Sequence, residues 1–437
     1  MLVASRRCTT TVLVALVAVL PALAVQNPAR AGVDPVVRAI ESHAHPLRST
    51  EPTGGHDDLR PLGAMVNGAT VVGLGEATHN SREFFTMKHR VFGYLVREKG
   101  FRAFSQEVHV AAGLRINDYV LHGKGDIRQI MDEEFQGGTA LWNTREYLDL
   151  FRWMRAYNAR HDGRLQYVGN DVDYAGKELF ARVDDYARRH DPTLLPQLAG
   201  LYQGLRPTTD METWLREYPQ RPLPERRASA ERAARALELL HRRGADAMTL
   251  RYATFISQVG TMYSFDFNDQ AELLKAVQHR EQAMADNTVW WSRRTGRTLL
   301  SAHNGHVAYG NSRPQYPYRI QGDLIREQIG RGYVNVGFTF YRGAFNASPP
   351  GGGPLRRVTV GPAAPGGNEH TLDKVRYRDF ILDTRTAPAV ARSWLDQARP
   401  TRDIGAEYPD QHQPIIALGT FYDVIIHLHR VHAADLL

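Results

Sequence analysis

The chain has 437 residues, of which 43% are hydrophobic and 23% charged, with a net charge of +7. That is the balance of an ordinary globular protein long enough to bury a substantial core, and its arginines form no basic stripe with interleaved aromatics, which argues against nucleic-acid binding. The single cysteine, Cys8, excludes disulfides, thiolate zinc sites and a cysteine nucleophile from the rest of the chain.

Residues 1–31 read as a secretory leader. Arg6 and Arg7 precede an apolar stretch from Val12 to Leu23, and Ala22-Leu23-Ala24 and Ala29-Arg30-Ala31 are small-residue cleavage sites. Pro21 interrupts the apolar run, which is too short to anchor stably in a bilayer, and no other segment reaches transmembrane length. Residues 32–437 are thus expected to be secreted, free of the membrane after cleavage, and stable without disulfides.

Several short apolar runs then read as buried strands. Thr70 to Leu74 stops at Gly75-Glu76, Phe101 to Ser105 leads to Glu107, and Leu165 to Val168 leads to Gly169-Asn170-Asp171. Thr298 to Ala302 leads to His303, and Tyr333 to Phe340 is longer. Between the first two runs, Arg82 to Lys99 carries Phe84, Phe85, Met87, Val91, Phe92 and Leu95 at helical spacing. Strand, helix, strand in that order makes a βαβ unit, so the fold class expected is α/β, with a mostly parallel central sheet flanked by helices.

The segment from about 176 to 295 is rich in Ala, Arg, Glu and Leu and predicts a helical insertion lobe, with helices over Glu225–Arg243 and Asp269–Arg294. Its Tyr202, Trp214, Tyr252, Tyr263, Phe265 and Phe267 are numerous enough to line an apolar cleft, or else form ordinary helix core. Long loops are expected at 349–354 and 361–367, and Ile415 to Leu428 reads as one or two returning strands. Residues 32–437 are read as one enzyme domain.

Two motifs carry the chemistry. Gly75-Glu76-Ala77-Thr78-His79 follows a strand and precedes a helix, the place where ligands bind in open α/β sheets. Ser301-Ala302-His303-Asn304-Gly305-His306 ends a second strand, and a tight turn at Gly305 would let His303 and His306 face the same crevice. Glu76, His79, His303 and His306 together suit proton transfer near neutral pH. Glu107 and Asp171, at two further strand ends, are candidate supports for a histidine tautomer or caps of the following helices. Arg280 is a candidate partner of Glu76 or a cleft-lining residue. No G-x-S-x-G elbow is present, which favours direct water attack, and Gly73-Leu74-Gly75 lacks the third glycine of a dinucleotide fingerprint, so no nucleotide cofactor is expected.

These residues resemble the erythromycin esterase family. The likeness runs from Val71 to His79 through Glu83-Phe84, Lys88, Gly100-Phe101 and Glu107. It continues in Trp142 to Glu146, Trp153 to Asn158, Gly169 to Asp171, Arg280 to Asn287, His303 to His306 and Tyr333 to Gly337. The resemblance implies cleavage of a small-molecule ester or lactone by water, without a cofactor. It makes His79 the general base, Glu76 its orienting carboxylate and Lys88 the source of the local field. His303 and His306 then polarise the carbonyl, stabilise the oxyanion or protonate the leaving alcohol.

Two other readings stand beside this one. Glu76, His79, His303 and His306 have the composition of a zinc-dependent hydrolase site, and a secreted binding protein could retain the same pocket. Macrolides act on ribosomes in the cytoplasm, so an exported relative need not confer antibiotic resistance, and Asn80 is a candidate for selecting a different substrate.

Overall fold

Among the described residues eleven strands form, the longer central ones where β-branched and aromatic residues meet a pleated surface covered on both faces. They are β1 His45–Pro46, β2 Val71–Leu74, β3 Ala103–His109, β4 Gln166–Asp171, β5 Thr298–Ser301, β6 Tyr333–Ala347, β7 Arg356–Val360, β8 Phe380–Asp383, β9 Arg399–Pro400, β10 Ile415–Ile416 and β11 Val424–Val431. The computed structural model describes residues 34–437 apart from Gly163, Pro314 and residues 410–412. The expected leader, with Cys8, lies outside the described residues.

Nine of these strands make one sheet in the order β1-β8-β11-β6-β2-β5-β3-β4, with β7 pairing the far end of β6. The pairs β11–β6, β6–β2, β2–β5, β5–β3 and β3–β4 are all parallel, while β8 and β7 run antiparallel to their neighbours. In β2 the side chains alternate between two cores. Val72 and Leu74 face the helix Arg82–Lys99 with its Phe84, Met87 and Phe92, whereas Val71 faces Ala285, Val289, Leu324 and Ile325 on the opposite side. A sheet with helices on both faces follows, as the strand–helix–strand pattern predicts.

Between β4 and β5 the described residues contain helices and no strand. The helices expected near Glu225–Arg243 and Asp269–Arg294 are Leu223–Arg242 and Gln270–Thr295. Tyr202, Trp214 and Tyr263 are buried together there with Leu179, Phe180 and Ile256, and Tyr252 and Phe267 pack against them. These aromatics serve as helix core, and none of them lines the main cleft. The returning segment is the short β10, a turn of helix at Leu418–Phe421 and the longer β11. No helix among the described residues is long and apolar enough to cross a membrane.

Candidate active site

The parallel strands β2 and β5 lie side by side, so their carboxyl ends bring the two motifs to one rim. Asn304 joins them: its backbone N–H donates to the Glu76 carbonyl at 2.9 Å, and its side chain exchanges hydrogen bonds with Phe338 at 2.8 and 3.0 Å. Gly75 is required by this approach, because a Cβ there would lie 2.2 Å from the Asn304 Oδ1.

Glu76 is fully buried, and each of its carboxylate oxygens has a partner. Oε1 meets His79 Nδ1 at 2.8 Å, and Oε2 accepts from the Lys88 ammonium, which also donates to the Ala302 carbonyl at 3.3 Å. Burial pushes the Glu76 carboxyl up, but Lys88 and His79 outweigh it and hold it below the usual carboxylate range. Burial also lowers the Lys88 ammonium, against the pull of Glu76 and Glu107. An ionised Glu76 only accepts, so His79 carries its proton on Nδ1 and presents the Nε2 lone pair. That nitrogen has no hydrogen-bond partner among the described residues. The His79 ring lies 4.7 Å from that of His303 and meets the edge of Trp142 at 5.6 Å.

His303 is the N-cap of the short helix Asn304–Val307, its Nδ1 accepting the Gly305 N–H at 3.1 Å. The turn expected at Gly305 is therefore this capped helix, and Gly305 does not adopt positive φ. Since Nδ1 accepts, Nε2 carries the proton and donates to the Ile404 carbonyl at 3.1 Å, with Asp403 3.4 Å away. Burial lowers the His303 pKa, with Asp403 opposing and His79 adding to the fall.

His306 sits between two carboxylates, with Nε2 3.0 Å from Glu107 and Nδ1 2.8 Å from Glu281. Burial alone would lower its pKa, but Glu107 and Glu281 raise it to about 10. It is an imidazolium at neutral pH, a fixed positive charge with both N–H groups committed, and so not a base. Glu107 also accepts the His303 backbone N–H at 2.9 Å and one Arg280 N–H at 3.2 Å. Burial would raise Glu107, yet His306 first, then His79 and Arg280, hold it well below the usual range.

Three expectations change in detail. Arg280 does not pair with Glu76. Its Nε donates to both oxygens of Asp171, at 2.9 and 3.1 Å, and its Nη2 reaches Glu107. Glu107 lies inside β3, at a register shift between Gln106 and His109, rather than beyond the strand. Asn80 is fully buried, bonded to Leu141 and Asn346, so substrate has no access to it.

His303 and His306 line a cleft of about 670 Å³, together with Glu281, Arg313, Tyr318 and Asp403. Sequence reasoning missed two carboxylates here. Glu281 adjoins Arg280 in a stretch already singled out, and helical adjacency alone could have found it. Asp403 stands in a loop with no motif around it.

No group of three or more His, Cys, Asp or Glu side chains among the described residues is placed to hold a metal ion. The set proposed for zinc is already engaged. His306 gives both N–H groups to carboxylates, and Glu76 is shared between His79 and Lys88.

The His306 clamp predicts an alkaline limit to stability. A histidine whose folded pKa is raised adds stability that is complete below the ordinary value of 6.5 and is lost as pH climbs toward about 10. Thermal melts should therefore drop across that interval, and the drop should be shallower in His306→Gln. Parallel curves for the two proteins would contradict the clamp.

A family model described as erythromycin esterase matches residues 96–431. The match includes Glu107, Asp171, Arg280, His303, His306 and Asp403, and begins after the Glu76–His79 motif. Erythromycin esterase type II of Escherichia coli is 23% identical over 327 residues, covering 68% of this chain and 75% of that protein. The crystal structure of a succinoglycan biosynthesis protein is 31% identical, with a TM-score of 0.82 over 92% of this chain and 98% of that one. An erythromycin esterase mutant in its open conformation shares the fold at 17% identity, with a TM-score of 0.68 over 89% of this chain and 97% of that chain. The chain belongs to the erythromycin esterase family.

Proposed function

We propose that this protein is a secreted hydrolase that cleaves a carboxylic ester or lactone by attack of water activated by His79. The observation that carries this reading is the Glu76–His79 pair at 2.8 Å, which leaves the His79 Nε2 lone pair open beside His303. Water attacks the carbonyl carbon as Nε2 takes its proton. The carbon–oxygen bond to the alcohol then breaks, and the removed proton returns to the alkoxide by way of His303 Nδ1. His306, clamped between Glu107 and Glu281, anchors the turn that carries His303 into the cleft. Lys88 keeps Glu76 ionised and so keeps the His79 tautomer.

Residues 32–437 should be assayed against aryl esters, lactones and macrolides, the last because of the name of the Escherichia coli relative. Turnover of at least one class is expected. A folded protein that binds panel members and hydrolyses none would reject the reading. Export rests on the leader pattern of residues 1–31. Full-length protein should leave an expressing host with its leader removed, which N-terminal sequencing reads directly, and retention of an intact N-terminus inside the cell would refute export.

A further inference from the structure

We propose that Asp403 is a positioning residue that supports His303 in handing a proton to the leaving alcohol, giving the site two carboxylate–histidine pairs. The inference rests on the ester-cleaving reading above. Asp403 is buried at the cleft wall, and its Oδ1 has no hydrogen-bond partner among the described residues although it lies 3.4 Å from His303 Nε2. A buried carboxylate oxygen without a donor is costly and points to a state in which it gains one.

The backbone on either side of Asp403 is fixed. Arg402 donates its N–H to buried Glu369 at 2.8 Å, and Ile404 donates its N–H to the carbonyl of Ala77, inside the first motif, also at 2.8 Å. Asp403 is thus held in register with both His303 and the Glu76–His79 turn. The other ionisable groups facing His303 are His79, Glu76 and Glu107. Glu76 is already occupied by Lys88 and His79, and Glu107 by His306 and Arg280.

The proton balance follows from the two ring nitrogens. At rest Nδ1 accepts from Gly305 and Nε2–H points to Ile404 and Asp403. The Gly305 N–H···Nδ1 hydrogen bond then opens and the His79 Nε2–H bond breaks, so that the proton taken from water passes to His303 Nδ1 and the ring becomes an imidazolium whose Nε2–H turns to the Asp403 carboxylate. The Nδ1–H bond then breaks, the proton passes to the alkoxide oxygen, and Nδ1 recovers the Gly305 N–H. Nε2–H stays in place throughout.

The test is Asp403→Asn in residues 32–437, with two esters of the same acid. One ester has a 4-nitrophenol leaving group, which departs without a proton, and the other an ethanol leaving group, which needs one. The expected loss in kcat is about tenfold or more on the ethyl ester and less than about threefold on the nitrophenyl ester. Equal losses on both esters overturn the proposal, since a merely structural defect would not sort by leaving group. A second readout needs no turnover. In ¹⁵N-imidazole spectra, assigned by His303→Gln, the His303 titration midpoint should fall in Asp403→Asn, and an unchanged midpoint overturns the proposal. A wild type that cleaves neither ester sinks the hydrolase reading, while the spectra still decide the role of Asp403. Asp403→Ser carries the same comparisons should the Asn variant fold poorly.

Discussion

Replacing His79 with alanine is expected to lower kcat/KM on a good ester substrate by about 10²–10⁴, the usual contribution of a general base. The loss should fall on kcat, because His79 acts on the attacking water and not on the alcohol or acyl portions that set binding. The fold should survive, since the His79 side chain is 12% exposed and, among the described residues, hydrogen-bonds only to Glu76. Progress curves beside a circular-dichroism melt separate lost chemistry from lost structure. A folded His79→Ala enzyme with full activity would remove His79 from the mechanism and turn attention to the rest of the cleft. Glu76→Gln is a sharper companion, because the amide keeps the volume of the carboxylate but removes the charge that keeps the proton on Nδ1.

The largest expected effect on stability is that of Glu107→Ala. Glu107 accepts from the His303 backbone, His306 and Arg280 at once, and only 4% of its side chain is exposed. Its removal leaves two half-buried cations short of a partner and a buried backbone N–H without an acceptor. Breaking one side of a buried ionic cluster costs about 3–5 kcal/mol. In urea unfolding this should appear as a lower midpoint with little change in slope. Glu107→Gln keeps an acceptor for the His303 N–H and should lose less. A midpoint for Glu107→Ala equal to wild type would mean that Glu281 and Asp171 suffice to neutralise His306 and Arg280.

These two expectations concern different layers of one site. The Glu76–Lys88 and Glu76–His79 contacts span 12 and 3 residues, so a strand end, a turn and the first turns of a helix build them locally. The Glu107–Arg280 contact spans 173 residues and needs β3 and the long helix Gln270–Thr295 packed in place. A substitution in the first layer should act mainly on chemistry, and one in the second mainly on folding.

The same division separates what could be read in the chain from what could not. Hydrophobic period and helix boundaries depend on near neighbours, so the helix Arg82–Lys99, the end of β2 and the starts of β5 and β6 were legible residue by residue. The position of both Glu/His motifs at strand ends followed from those boundaries. What each side chain pairs with did not, because spacing carries no information about elements a hundred residues apart. Arg280 faces Asp171 and Glu107 instead of Glu76, since the order β2-β5-β3-β4 sets β3 and β4 beyond β5 and places their ends against the long helix. Ionisation states lay further out of reach. His303 and His306 are three positions apart with similar local sequence, yet one is pushed down by burial and the other raised to about 10 by two carboxylates. By itself the sequence determined the central strands β2 to β6, the longest helices and the two reactive motifs, through local patterns of burial and capping. Only the tertiary structure decided which histidine is a fixed cation, which stays neutral and which keeps an open nitrogen, because charge is set by whatever long-range packing brings within a few ångströms.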